Sequence, residues 1–432
     1  MTKKSKHKLT QHDLKIIAAR HKNEFMGRIK YFMDLWMGEK TFSLVPDKDH
    51  EFIYLRRYTI PRIEVEKGVN VSKKFLAEMK DMLEKLLHFR LIEMPNELSK
   101  ITLYDFLIYY MSIFSYFAYI RKNDYDTHKT LCDRYNFLHE SYEKVNTLAI
   151  SDLNFIMVML GLFYSYPDKK YYWVSTDFHQ DLDHNTGNYW IFRLHETNLQ
   201  VRNFVLNNEK RPAFKLGTPL PDNGVSWIRV KMKSKSISNL VKSYQVFIQS
   251  HALKRLFERL DSLEEHVILY NLYSSFVKPQ LIYEKGKLLI EYSLFQKKIG
   301  YFIAEVAEGK MLLRTFLFLT NEGTPEARKL QDVAGLGKLD IKYWNIDKLR
   351  KFLESDIITN PVVKNIFVEA GCGDLFCLQT TDTDAYKIKE YVADEMQKYL
   401  GLNKEENDDD SYETQDDIIP AEESGQSLVP DE

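Results

Sequence analysis

The chain is poor in the residues that build disulfide scaffolds, flexible linkers and glycine-cradled nucleotide sites. It has three cysteines in 432 residues, Cys132, Cys372 and Cys377. That is too few for a disulfide framework and fits a reducing compartment, so a cytoplasmic location is expected. Cys372 and Cys377 stand alone as a C-x4-C pair, and a structural zinc needs four ligands, so free thiols are expected. Glycine is scarce, at 17 residues, which assigns most of the chain to regular elements. The string Gly335-Leu-Gly337-Lys338 lacks the G-x-x-x-x-G-K spacing of a P-loop, and a helix C-cap accounts for its glycines. No internal repeat is present, and no cofactor is expected. The opening MTKKSKHKLTQHD has no apolar stretch behind its charges, so no secretory leader is expected.

What the chain has in quantity is aromatic residues: 27 tyrosines and 26 phenylalanines, within an apolar fraction of 44%. This is the composition of a globular protein, long enough for two or three domains. The net charge of −2 is unevenly placed. Residues 404–432 hold 12 acidic residues and one lysine, leaving 59 basic against 50 acidic residues in 1–403, a balance of +9. The tail cannot bury enough apolar surface to order itself. It is read as a disordered solubiliser, or as a shield for a basic cleft in cis. The body is compatible with an anionic partner, and the terminal cluster Lys3, Lys4, Lys6, His7 and Lys8 could touch nucleic acid.

Hydrophobic periodicity gives an α+β protein. Residues 1–165 read as an α-helical domain, with helices over 9–38, 72–92 and 125–146 and an apolar stretch at 153–163. Residues 101–120, ITLYDFLIYYMSIFSYFAYI, nearly reach the length of a membrane span. They also carry Thr102, Asp105, Ser112, Ser115 and five tyrosines, and no second run is read as equally apolar. A buried bundle helix is therefore expected, with no membrane partner. Residues 166–235 read as a β-rich segment with turns at Asn185-Thr-Gly187 and Pro219–Gly224. Residues 236–403 read as an α+β module: a helix over 236–260, a second helix or irregular segment over 264–277, strands at 280–284, 287–294, 299–306 and 311–320, and helices near 324–334, 345–354, 361–370 and 384–400. The last strand, MLLRTFLFLT, is apolar on both faces and should be central. Thr324 and Pro325 have the identities of an N-cap and first helical residue.

One string carries chemistry. In Ser250-His251-Ala252-Leu253-Lys254-Arg255-Leu256-Phe257-Glu258-Arg259, the residues His251, Arg255 and Arg259 recur every fourth position. They fall within roughly 80° on a helix, opposite a leucine stripe. Two guanidiniums can hold phosphate oxygens by paired hydrogen bonds, and an imidazole can move a proton to or from a ribose hydroxyl. The same arrangement is also what any charged helix face offers. The string resembles the His-Ala-x-x-Arg-x-x-x-Arg helix of the superfamily that joins barnase, EndoU, the colicin nuclease domains and RelE-like toxins. The order of elements over about 248–320, helices followed by four antiparallel strands, is similar too. The resemblance implies metal-independent RNA cleavage through the ribose 2′-hydroxyl, yielding a 2′,3′-cyclic phosphate. It makes His251 the acid/base and Arg255 and Arg259 the phosphate holders. Tyr301 or Thr320 would contact phosphate or base; the late strand also offers Thr315, beside Arg314. The chain departs from the pattern in that about 110 residues follow the sheet.

A second cluster, His179, Asp181, Asp183 and His184, has the identities of zinc or manganese ligands, but it leads into a turn and reads as a polar hairpin end. The expected partners are therefore RNA, or a protein partner or second copy of the chain. In the latter reading it is a non-enzymatic interaction or assembly protein of a phage or mobile element.

Overall fold

A computed structural model describes residues 10–95, 99–183, 186–206, 208–233 and 241–378. The basic cluster Lys3–Lys8, His184, the helix expected at 384–400 and the acidic tail 404–432 lie outside the described residues.

The chain begins with α1, Gln11–Met37, started by a reciprocal cap in which the Thr10 hydroxyl accepts from the Asp13 N–H and Asp13 accepts from the Thr10 N–H. There follow α2 (Asp47–Leu55), the short strand β1 (Arg62–Val65), α3 (Lys73–Phe89), and the paired strands β2 (Leu91–Glu93) and β3 (Lys100–Thr102). Next, α4 (Leu103–Asp105) passes through a π-helical turn at Phe106–Tyr110 into α5 (Met111–Asn123). This continuous helix is a core element, as its composition implied: Phe106, Leu107, Tyr110, Ile113, Phe117 and Ile120 are all buried. The single helix expected at 125–146 is instead broken at Ser141, giving α6 (Lys129–Glu140) and α7 (Tyr142–Tyr164). Helix α7 absorbs the apolar stretch at 153–163 and corrects the expectation that no second run is equally apolar. Its mean hydropathy is 1.6, against 1.2 for Leu103–Asn123, and both helices have the length and composition to cross a membrane.

The β-rich stretch does not form one unit. Strands β4 (Tyr171–His179) and β5 (Tyr189–Thr197) join β1 in a three-stranded sheet, with β1 parallel to β5. Val174, Phe192 and Leu194 of this sheet pack into the core formed by the N-terminal helices. The strands β6 (Val201–Leu206), β7 (Glu209–Lys215), β8 (Gly217–Leu220), β9 (Gly224–Trp227) and β10 (Arg229–Lys233) come next. Strands β8 and β9 pair with each other, while β6, β7 and β10 enter an eight-stranded sheet with the second half of the chain.

The helix expected over 236–260 is also corrected. Val241–Ile248 is a strand, β11, and only Ser250–Arg259 is helical, as α8. Val246, Phe247 and Ile248 suit a pleated, doubly covered position, and β11 takes it, parallel to a later strand on one side and antiparallel to β7 on the other. After α9 (Glu265–Ser275) come β12 (Leu281–Glu284), β13 (Lys287–Leu294), β14 (Lys297–Ala307) and β15 (Lys310–Phe318), an antiparallel meander. The order across the sheet is β12-β13-β14-β15-β11-β7-β6, with β10 alongside β11. Strand β15 is thus central, as its two apolar faces required. The meander turns at Lys285-Gly286 and Glu308-Gly309, both pairs with positive φ, the backbone that tight hairpins favour. Gly300 lies within β14, where a Cβ would collide with the Leu317 carbonyl oxygen.

One face of the large sheet is covered by α8 and α9 through Leu253, Leu256, Ile268, Leu269 and Leu272. The chain then adds α10 (Pro325–Ala334), α11 (Lys338–Tyr343), α12 (Leu349–Glu354) and α13 (Pro361–Glu369). Thr324 caps α10, and Gly335 ends it in the left-handed region at φ 68°.

Candidate functional site

Helix α8 buries Ala252, Leu253 and Leu256 against the sheet, which turns its 251/255/259 stripe toward the C-terminal end of β15. There His251, Arg255 and Arg259 line one side of a cleft of about 300 Å³. The floor is Thr315, Phe316 and Leu317 of β15, and the far wall is Lys338, Ile341 and Lys342 of α11. Asn321, Glu322 and Asp347 complete it. A register shift between β14 and β15 pairs Ile303 with Thr315 and Ala304 with Leu313, leaving Arg314 as the extra residue of a bulge. Bulges re-aim side chains. Here Arg314 donates to Glu305 at 3.0 Å, away from the cleft, and Thr315 is the residue that lines it.

The cations differ in how they are held. Arg255 donates to Glu258 at 2.8 Å, one turn along its own helix. Arg259 donates to the buried carboxylate of Asp347, and its Nε is buried without a partner. Lys338 pairs with Glu322 at 2.9 Å across the rim. His251 is exposed, and among the described residues neither it nor Lys342 has an ion-pair partner. Four Lys and Arg side chains line the cleft against two carboxylates, Glu322 and Asp347. The two lysines come from a helix that starts 79 residues past the end of α8, and only their own i, i+4 spacing hinted at a shared face.

Two residues expected at this site are elsewhere, and their assignment is corrected. Thr320 is fully buried and its hydroxyl donates to the Ile346 carbonyl at 2.6 Å, so it reaches no ligand. Tyr301 is buried and donates to Glu326 Oε1 at 3.0 Å, an oxygen that also accepts from Lys298 Nζ at 2.6 Å. Burial, reinforced by the Glu326 carboxylate, pushes the Tyr301 hydroxyl well above its ordinary range. Burial likewise raises the neighbouring Cys372 thiol to about 12, with Glu326 adding to it. Cys372 is buried and Cys377 exposed, both as free thiols.

Of the His179 cluster, the described members His179, Asp181 and Asp183 form no metal-ligating group. Asp181 Oδ2 accepts from the Gly187 N–H at 2.6 Å and from the Thr186 hydroxyl at 3.2 Å, while the Asp181 N–H donates to Asn188. Its carboxylate thus closes a hairpin loop. His179 stacks on Tyr189 with ring centroids 4.5 Å apart. Among the described residues no group of three or more such side chains could hold a metal ion.

One polar network on the three-stranded sheet was invisible in the sequence. Ser175 Oγ lies 2.7 Å from His195 Nε2, and Glu66 is 3.8 Å from His195 Nδ1. Trp173 stacks on the imidazole at 3.9 Å. Burial holds the His195 pKa below its ordinary value, opposed by Glu66 and helped by Arg193. Trp173 and His195 are direct cross-strand partners, so the network is a by-product of β4–β5 register rather than of any local motif.

The fold and cleft define an α+β protein with a cation-lined cleft at the C-terminal end of the central strand β15 of a helix-covered sheet. No protein-family model, curated protein or solved structure matches the chain.

Proposed function

We propose that the α8–β15–α11 cleft binds an RNA phosphodiester and that His251 moves the protons of a metal-independent cleavage. The observation that carries this reading is the convergence of His251, Arg255, Thr315, Lys338 and Lys342 on one cavity from three separate elements. His251 takes the proton of a ribose 2′-hydroxyl. The 2′-oxygen then attacks the adjacent phosphorus, the 5′-oxygen leaves and receives a proton, and the products are a 2′,3′-cyclic phosphate and a free 5′-hydroxyl. Arg255, Lys338 and Lys342 hold the phosphate oxygens as charge builds on them, and the Thr315 hydroxyl donates beside them. Arg259, tied to Asp347, is a positioning residue that fixes α8 relative to the far wall. Helix α11 also presents Leu339 and Tyr343 to solvent at 79% and 76% exposure, and an exposed aromatic beside a cationic groove is a stacking platform for an unpaired base. The order α8, α9 and the β12–β15 meander agrees with the toxin-ribonuclease resemblance, although here the meander belongs to a sheet of eight strands.

The test is incubation of the full chain with end-labelled single-stranded RNA in EDTA. Cleavage that disappears in His251→Ala supports the proposal. Intact RNA, or cleavage that His251→Ala leaves unchanged, overturns it. A second reading, a non-enzymatic interaction protein, draws on the exposed apolar neighbours Phe89 and Leu91. A defined oligomer on a sizing column together with intact RNA would favour it.

A further inference from the structure

On the face of the large sheet that turns away from α8 and α9, three cations gather that have no ion-pair partner among the described residues. The alternation of side chains along β15 and β11 fixes the face. Met311 and Leu313 belong to the core under the helices, whereas Leu312 and Phe247 belong to a separate small cluster with Phe204 and Ala213. Lys215 lies directly across from Phe247, which in turn pairs with Leu312. Two residues back along the parallel strands, on the same face, are Gln245 and Lys310, and Arg229 is the cross-strand partner of Gln245. So β7, β15 and β10 each deliver one cation to a patch floored by β11.

The three form a graded set. Lys215 is only 8% exposed, Lys310 is half-buried and Arg229 is exposed. Their hydrogen-bond partners among the described residues are all neutral. Lys215 Nζ donates to Gln200 at 2.8 Å, Lys310 Nζ to Gln245 at 2.9 Å, and Arg229 Nε to the Ser243 hydroxyl at 3.0 Å. Lys215 also sits over the Trp227 ring, 4.8 Å from its centroid. The carboxylates of these strands on this side are taken by other cations: Glu308 pairs with Arg202 at 2.6 Å, and Glu305, the cross-strand partner of Leu312, accepts from Arg314 at 3.0 Å. A buried ammonium beside two further cations is unfavourable unless an anion joins it. Burial, and then Lys310 and Arg229, do depress the Lys215 pKa.

We infer that Lys215, Lys310 and Arg229 form a phosphate-binding site distinct from the α8 cleft. Arg229 offers a planar fork at the rim, and the two lysines offer point charges below it, the combination that phosphate oxygens accept. The phosphate belongs either to a nucleic-acid strand laid along the sheet face or to a free phosphate compound, and the two are separable by experiment.

The experiment titrates the full chain, by calorimetry, with inorganic phosphate and separately with a single-stranded oligodeoxynucleotide. The latter lacks the 2′-hydroxyl that the cleft chemistry needs, so the outcome does not depend on cleavage. Arg229→Gln and Lys310→Gln are compared with the control Lys85→Gln, an exposed surface lysine paired with Asp81. Lys215→Met is added where it folds; the two rim variants carry the test if it does not. Losing one charge-assisted hydrogen bond should weaken binding about tenfold or more. Weakening for both ligands supports the site with a strand as its ligand, and weakening for inorganic phosphate alone supports it with a free phosphate compound. Wild-type protein that binds neither ligand, or rim variants that bind both like the control, overturn the inference.

Discussion

On α8, both arginines of the cationic stripe have a carboxylate: Glu258 for Arg255 and the buried Asp347 for Arg259. On the opposite face of the same sheet, Lys215, Lys310 and Arg229 are held by two carboxamides and a hydroxyl. The two clusters are alike in sequence terms, each a handful of lysines and arginines on regular elements. They differ in what the fold places against them. Arg259 is part of the architecture, and removing it leaves the buried Asp347 carboxylate unpaired. An uncompensated cation is held at a cost that a ligand can offset. The comparison also marks which groups in the cleft are free for a substrate: His251 and Lys342 rather than Arg259.

The largest expected effect is on chemistry. His251→Ala should slow RNA cleavage by roughly 10²–10⁴-fold, the usual contribution of a positioned acid–base group. A variant within threefold of wild type under single-turnover conditions would remove His251 from the reaction. The second effect contrasts the two clusters directly. Arg259→Met strands the Asp347 carboxylate and should cost about 3 kcal/mol, whereas Lys215→Met removes an unanswered charge and should leave stability unchanged or raised. Urea midpoints with equal slopes would show this, and equal losses in the two variants would erase the distinction. Third, Tyr343→Ala should weaken binding of single-stranded RNA by about 1–3 kcal/mol, the value of one base stacked on an aromatic ring. Fluorescence anisotropy reads it, and undiminished affinity would take α11 out of the binding surface. The smallest is a pH effect away from both clusters. Burial holds the pKa values of His195 and His266 below the ordinary one. The unfolded chain therefore binds these protons first, and stability should fall as pH drops below about 6.5. Replacing both histidines by glutamine should flatten that part of the profile, and a slope that persists would assign it to other groups.

Much of the second half of the chain was legible because its signals are local. The β12–β15 meander follows from alternating apolar runs separated by Lys285-Gly286 and Glu308-Gly309. Thr324, Pro325 and Gly335 mark both ends of α10. The α8 stripe could be read from spacing alone. What failed depended on distant partners. Val241–Ile248 is a strand because β7, β10 and β15 flank it, and nothing within the segment outweighs the helix that follows. The β-rich stretch 166–235 divides because Val174, Phe192 and Leu194 find the N-terminal helices. Tyr301 and Thr320 were misplaced because a β period gives a face but not what covers it. Glu326 and the Ile346 carbonyl arrive from 25 and 26 residues away.

The most direct test of the α8 cleft replaces a single atom of the substrate. An oligonucleotide with one ribonucleotide in an otherwise deoxy strand should be cut by the full chain, in EDTA, only on the 3′ side of that ribose, leaving a 2′,3′-cyclic phosphate. The all-deoxy strand should remain intact. Cleavage of the all-deoxy strand, or a product ending in a free 3′-hydroxyl, would contradict the chemistry assigned to His251 and its neighbours.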